Sequence, residues 1–144
     1  MASVNVAVKG AKELKNKYAK LSTKTMDGLV KGVNQATAIV EGSAKRICPV
    51  DTGYLRNSIH MKPAEISGNE VKGQVYTATE YAPYVEFGTG IRGKASNLNE
   101  KYPVSYNPHW YGQLAQPFLY PALENNKTTI EKTINRAVAK ELYV

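Results

Sequence analysis

The chain has 144 residues and a mass of 15.8 kDa, with 42% hydrophobic and 22% charged residues, which is one ordinary domain's worth of globular sequence. Its 19 Lys and Arg against 12 Asp and Glu leave a net charge of +7. No run approaches the roughly 18 apolar residues of a membrane span, the first residues lack a signal-peptide apolar core, and one cysteine excludes a disulfide framework or a multi-cysteine zinc site, so a soluble protein of a reducing compartment is expected.

Val4, Val6 and Val8 alternate with Asn5 and Ala7, the period of a short N-terminal strand or arm over residues 1–9. From 10 to 48 a helical period takes over, with Leu14, Tyr18, Leu21, Leu29, Val33, Ala36, Val40, Ala44 and Ile47 recurring mostly at steps of three or four. An unbroken helix of that length would run about 55 Å, more than the ~30 Å of a small domain. An interruption is therefore expected near 22–25, where Ser and Thr side chains compete for backbone hydrogen bonds. Pro49 ends the helix by steering Cys48 away from helical angles.

Most of the charge excess lies in this part of the chain. Residues 1–48 carry nine basic and three acidic side chains, a net of +6, whereas 49–90 is slightly acidic at −2. Lys9, Lys12, Lys15, Lys17, Lys20 and Lys24 interrupt the stripe of Leu14, Tyr18 and Leu21. The plain reading is the solvated face of an amphipathic helix; the sharper one is a surface facing DNA or an acidic partner. No arginine cluster or interleaved aromatic supports sequence-specific recognition.

The region 49–90 is β-like. Ser58–Ile66 and Glu70–Thr79 form two extended runs around the turn-forming Ser67-Gly68-Asn69. Pro63 marks the first as an edge strand or a bulge. Tyr81–Phe87 fits either a strand or a helical turn, and Gly88-Thr89-Gly90 closes it. Residues 91–116 show no sustained period and are expected to form an extended, aromatic-rich loop of the kind that is usually functional or disordered. Over 117–144, Leu119, Leu123, Ile130, Ile134, Val138 and Leu142 mark an amphipathic C-terminal helix. The expected fold is one α+β domain: a small antiparallel sheet with a long N-terminal and a C-terminal helix packed on it.

The inventory for chemistry is thin. Cys48, Asp51, His60 and His109 could in principle supply a Cys–His–Asp constellation, but no local signature joins them. Two widely spaced histidines fall short of a metal motif, and no GK[ST] follows the glycines at 88 and 90. No enzyme, cofactor or metal site is expected. The aromatics say more: ten tyrosines accompany two phenylalanines and one tryptophan. Tyr102, Tyr106, Trp110 and Tyr111 crowd the 91–116 segment, either as a lid folded over the sheet or as contacts with a neighbouring subunit.

Three blocks stand out: Pro49-Val-Asp-Thr-Gly-Tyr-Leu-Arg-Asn-Ser-Ile59, Tyr81-Ala-Pro-Tyr-Val-Glu-Phe-Gly-Thr-Gly90 and Ala115-Gln-Pro-Phe-Leu-Tyr-Pro-Ala-Leu123. In this order, between a long helix and a C-terminal one, they resemble the small neck or tail-component family of long-tailed bacteriophages, variously called head–tail joining, neck or tail-completion proteins. The resemblance runs from about Gly10 to the C-terminus. It implies a structural virion protein, made in the bacterial host cytoplasm and assembled as a homo-oligomeric ring around the DNA passage. Six copies are the guess from tail architecture, with twelve as the alternative. Its implied partners are its own copies and other neck, head-closure and tail proteins, with non-specific contact to DNA in transit and no membrane.

Within the blocks, Pro49, Asp51, Thr52, Gly53, Leu55, Arg56, Tyr81, Val85, Glu86, Phe87, Gly88, Gly90, Pro117, Phe118 and Pro121 are expected to maintain the scaffold. Gly53 suits a turn with positive φ, Leu55 and Ile59 point to the core, and Pro117 and Pro121 bracket the start of the last helix. Arg56 and Glu86 are expected to pair, within or between subunits. The competing function is a basic phage protein that binds DNA non-specifically through the lysine-rich start of the first helix.

Overall fold

The computed structural model describes residues 4–8, 23–68, 70–97 and 104–143, the first group by its backbone alone. Strand β1 (Val4–Val8) is followed by helix α1 (Thr23–Ile47), a single turn α2 (Tyr54–Asn57), and strands β2 (Ile59–Ser67) and β3 (Glu70–Thr77). Short helices α3 (Ala82–Phe87), α4 (Gly90–Ser96) and α5 (Leu119–Glu124) precede the C-terminal helix α6 (Lys127–Leu142). The fold is α+β.

The sheet has the order β1-β3-β2 and is antiparallel throughout, so β3 is central and β1, distant in sequence from it, completes the hairpin. Alternation along β3 buries Val71, Val75 and Thr77 on one face and exposes Glu70 and Lys72 on the other. β2 is an edge strand whose register shifts between Lys62 and Glu65, around Pro63. Two of its backbone donors are taken by the long helix: Met61 N–H donates to Glu41 Oε2 at 2.7 Å and Ala64 N–H to Asn34 Oδ1 at 2.7 Å. Proline, bulge and helix side chains together reduce the free donors that would otherwise template another strand.

The period of α1 is what lays it over the sheet. Leu29, Val33, Ala36, Val40 and Ala44, at steps of three or four, are all buried. Lys45 and Arg46 occupy its last turn, where positive charge complements the helix dipole. The helix is described from Thr23 onward and is continuous through 23–25; the rest of the expected helix, 10–22, with Lys9, Lys12, Lys15, Lys17 and Lys20, lies outside the described residues.

α6 runs antiparallel to α1, at very close range. A Cβ on Gly28 would sit 2.8 Å from the Val138 Cα, and one on Gly32 would sit 2.8 Å from the Ile134 Cα. Only glycine lets the two backbones approach this far, and Ile130, Ile134 and Val138 fill the seam fully buried. Lys31 and Glu141 close its outer edge as an ion pair, and the Glu141 carboxylate pushes the Lys31 ammonium pKa above its ordinary value.

Two sequence expectations need correction. The segment 91–116 is not irregular throughout, because α4 spans Gly90–Ser96. The C-terminal helix is two helices, since Asn125 and Asn126 separate α5 from α6. Asn126 Nδ2 donates to Ala122 O at 2.7 Å, a side-chain bond that competes with helix continuation. The open choice at Tyr81–Phe87 resolves as helix, with Pro83 in the first turn where its missing N–H costs nothing.

Candidate interaction surface

The three blocks, far apart in sequence, meet at one end of the molecule. The first leaves α1 at Pro49 and turns at Gly53, whose φ is 84°. Thr52 Oγ1 accepts from Tyr54 N at 3.3 Å, steadying the start of α2, and Leu55 beneath it is buried. A hydroxyl cluster then ties this turn to the end of β3. Ser58 Oγ donates to Leu55 O at 2.6 Å, lies 2.7 Å from Thr77 Oγ1, and accepts from Thr79 Oγ1 at 2.7 Å. Because Thr79 lies two residues before the start of the second block, the cluster helps hold Tyr54 against Tyr81, with ring centroids 6.4 Å apart.

Glu86 joins the second block to the third. Its side chain is 3% exposed, and its carboxylate accepts from the backbone N–H groups of Phe118 at 2.8 Å, Leu119 at 3.0 Å and Tyr120 at 2.9 Å. These are donors of the first turn of α5, which has no local side-chain cap. A carboxylate from another helix therefore does the work of an N-cap and places a negative charge where the helix dipole favours it. This overturns the expected Arg56–Glu86 pair within a subunit: Glu86 is committed to backbone donors, while Arg56 is exposed on α2. Phe118 and Leu119 are driven fully into the core by the same cap, whereas Pro117 stays at the surface.

The segment 104–116 folds back along the second block. Thr89 N–H donates to Gln113 O at 2.9 Å and Gln113 N–H returns to Thr89 O at 3.0 Å. Ile91 N–H meets Trp110 O and Arg92 N–H meets Tyr111 O, both at 2.9 Å, while Gln116 N–H meets Val85 O at 2.8 Å. This pairing requires glycine at 112, where φ is 68° and a Cβ would fall on the Thr89 carbonyl. Gly88 and Gly90 also have positive φ.

The loop aromatics divide. The Tyr106 hydroxyl donates to Phe87 O at 2.9 Å and accepts from Asn97 Nδ2 at 2.7 Å, so it pins the loop to its own subunit. Trp110 and Tyr111 are 54% and 73% exposed. Tyr102 lies outside the described residues.

Between these pieces runs a groove of about 430 Å³, lined in part by Pro49, Val50, Tyr54, Tyr81, Val85 and Leu114. Tyr54 is 64% and Leu114 58% exposed, an unusual outlay of apolar surface at one place. Val50, Tyr54 and Leu114 were not among the residues that the sequence singled out for a contact. The first two stood inside the first block and could have been singled out as apolar residues flanking a turn; nothing local marks Leu114.

The ingredients for nucleophilic chemistry do not gather here. Cys48 is buried at the end of α1, its Sγ 3.5 Å from Pro49 O, and burial pushes the thiol pKa up, away from reactivity. His60 stacks obliquely near Tyr76 on the open face of the sheet, and His109 is exposed in the loop. Among the described residues no group of three or more His, Cys, Asp or Glu is placed to hold a metal ion.

Comparison with known proteins gives one finding. A family model described as "Bacteriophage HK97-gp10, putative tail-component" matches residues 12–88, just over half of the chain. No curated protein and no solved structure matches significantly. The matched span contains the long helix, the hairpin, the first block and the second as far as Gly88, which is the framework that supports the groove. The chain belongs to the HK97-gp10-like family of bacteriophage tail components.

Proposed function

We propose that this protein is a ring-forming subunit of a phage neck or tail, joining or completing the head–tail connection around the DNA passage. Family membership already implies a structural virion protein that meets other phage structural proteins, and no described helix is long and apolar enough to cross a membrane. The observation that carries the finer reading is the groove. Exposed Val50, Tyr54, Tyr81 and Leu114 line it, on a base held by the Ser58 hydroxyl cluster, with exposed Trp110 and Tyr111 on the same hydrogen-bonded loop.

Tyrosine and tryptophan on a rigid base suit a protein contact, because they add large contact area at little cost in side-chain entropy. A groove on one subunit that receives a different surface of the next is a head-to-tail contact, and such contacts close into rings when the rotation per subunit divides a full turn. Six copies is the order we favour, with twelve as the alternative. Native mass measurement and negative-stain imaging of the purified chain, alone and with neck and tail partners, test the proposal. Rings are expected; a strict monomer at high concentration, with no ring even beside its partners, refutes it.

A further inference from the structure

The solvent face of α6 carries a feature that neither ring closure nor the core requires. Lys132, Arg136 and Lys140 follow one another at intervals of four residues, all exposed, so they stack along one face over about 12 Å of helix. Exposed Thr129 and Tyr143 extend the same face at its two ends. Exposed Ala139 borders the row, and no acidic residue shares the face. The acids of this helix lie elsewhere: Glu141 is engaged by Lys31, and Glu131 falls on another side.

The arrangement is not neutral for the fold. Like charges four residues apart on a helix repel. The dipole at the C-terminus compensates Lys140 but not Lys132 or Arg136, which sit further up the helix. Net charge hides the segregation, since residues 117–144 sum to only +1. The antiparallel packing then adds to it. Gly28 lies against Val138 and Glu141, so exposed Lys24, one turn upstream, stands at the end where α6 finishes with Lys140 and Tyr143. The lysines at 9–20 directly precede that point in the sequence.

We infer that the solvent face of α6, through Lys132, Arg136 and Lys140, is a contact surface for the phosphate backbone of double-stranded DNA. Cations one helical turn apart, with a hydroxyl residue beyond each end of the row, suit a row of phosphates and carry no means of reading bases. A membrane surface is the poorer fit, because the apolar face that would enter lipid, Ile130, Ile134 and Val138, is already buried against α1. The inference deepens the proposed function, which supplies its setting in a DNA passage, but its test does not depend on ring formation.

The test is the salt dependence of binding to a fluorescent, mixed-sequence duplex, measured by anisotropy on the full chain. Three proteins are compared: the unaltered chain, the triple variant Lys132→Gln, Arg136→Gln, Lys140→Gln, and a variant of equal net charge, Lys62→Gln, Lys72→Gln, Lys94→Gln. Each phosphate contact contributes about 0.9 to the slope of log affinity against log salt, so the α6 variant should lose roughly 2–3 from that slope and the control much less. Helical circular dichroism and thermal midpoint, recorded in parallel, should be unchanged or improved in the α6 variant.

Absence of binding by the unaltered chain at about 50 mM salt overturns the inference. So does an equal loss of slope in both variants, which would mean diffuse charge. An unchanged slope with loss of a complex with another phage protein would reassign the face to an acidic protein partner, and also overturns it. Ring assembly, imaged separately on the same variants, reads the proposed function alone; its failure leaves the DNA result standing.

Discussion

The two ends of this subunit use glycine for opposite purposes. Along the α1–α6 seam, Gly28 and Gly32 let backbones close until apolar side chains on both sides disappear from the surface. At the motif end, Gly53, Gly88, Gly90 and Gly112 bend the chain so that backbone hydrogen bonds hold it, while Tyr54, Tyr81, Trp110 and Leu114 remain outside. One end gains its order by burial. The other is ordered by hydrogen bonds and so keeps its aromatic side chains available to a partner.

That contrast can be broken by mutation. The largest effect is expected at Glu86, whose carboxylate accepts from three backbone donors of the third block, two of them buried. Glu86→Ala should cost about 3 kcal/mol or more in urea unfolding, because each donor left dry costs about 1 kcal/mol or more. Glu86→Gln, which retains one acceptor oxygen, should cost visibly less. An alanine variant as stable as the parent would mean that the motif end does not depend on this cap.

The exposed aromatics should behave in the reverse way. Trp110→Ala and Tyr54→Ala are expected to change monomer stability by less than about 1 kcal/mol, while weakening self-association or partner binding by about 2 kcal/mol each, in the range of interface hot spots. Analytical ultracentrifugation beside thermal melting separates the two. Loss of stability without loss of association would turn the motif end into an ordinary core edge.

At the opposite end, Gly32→Val should cost about 2 kcal/mol by forcing the helices apart, with no independent effect on association once stability is restored by temperature. The smallest effect concerns Cys48. Its pKa is raised by burial in the folded chain, so the folded state holds the thiol proton more tightly than the unfolded one. The resulting stability is fully present below the ordinary thiol pKa and is lost as pH rises through the raised value. Cys48→Ala should flatten that alkaline decline. In the parent, iodoacetamide should label the thiol far more slowly before denaturation than after it.

Much of this architecture was legible in residue periodicity. The steps of α1, the alternation of β3, the turn at Ser67-Gly68 and the edge character of β2 at Pro63 are local patterns, and the structure follows them. Local signals were misleading where a short element depends on distant support. α4 has too few residues to show a period, and its surroundings include the returning loop at 110–113. Conversely, the apolar steps through Leu119, Leu123 and Ile130 ran straight across the break at Asn125 and Asn126, because periodicity registers faces but not caps.

Glu86 is the clearest case of the limit. Inside its block it looked like a surface charge awaiting Arg56, and no spacing could reveal three N–H groups more than thirty residues away. The +7 charge has the same history. Counting placed the excess at residues 1–48, whereas the fold exposes a second, acid-free row on α6, whose last turns pack against Gly28, one turn from Lys24.

The sequence by itself determined the fold class, the blocks that mark the family, and which faces of the long helix and central strand are buried, since these depend on neighbours within a few residues. Only the tertiary structure decided that the blocks converge on one groove, that β1 completes the sheet beside β3, and that the charged face of α6 is the one left to solvent while its apolar face packs on α1. Those are relations between surfaces, created when distant segments pack, and no local pattern encodes them.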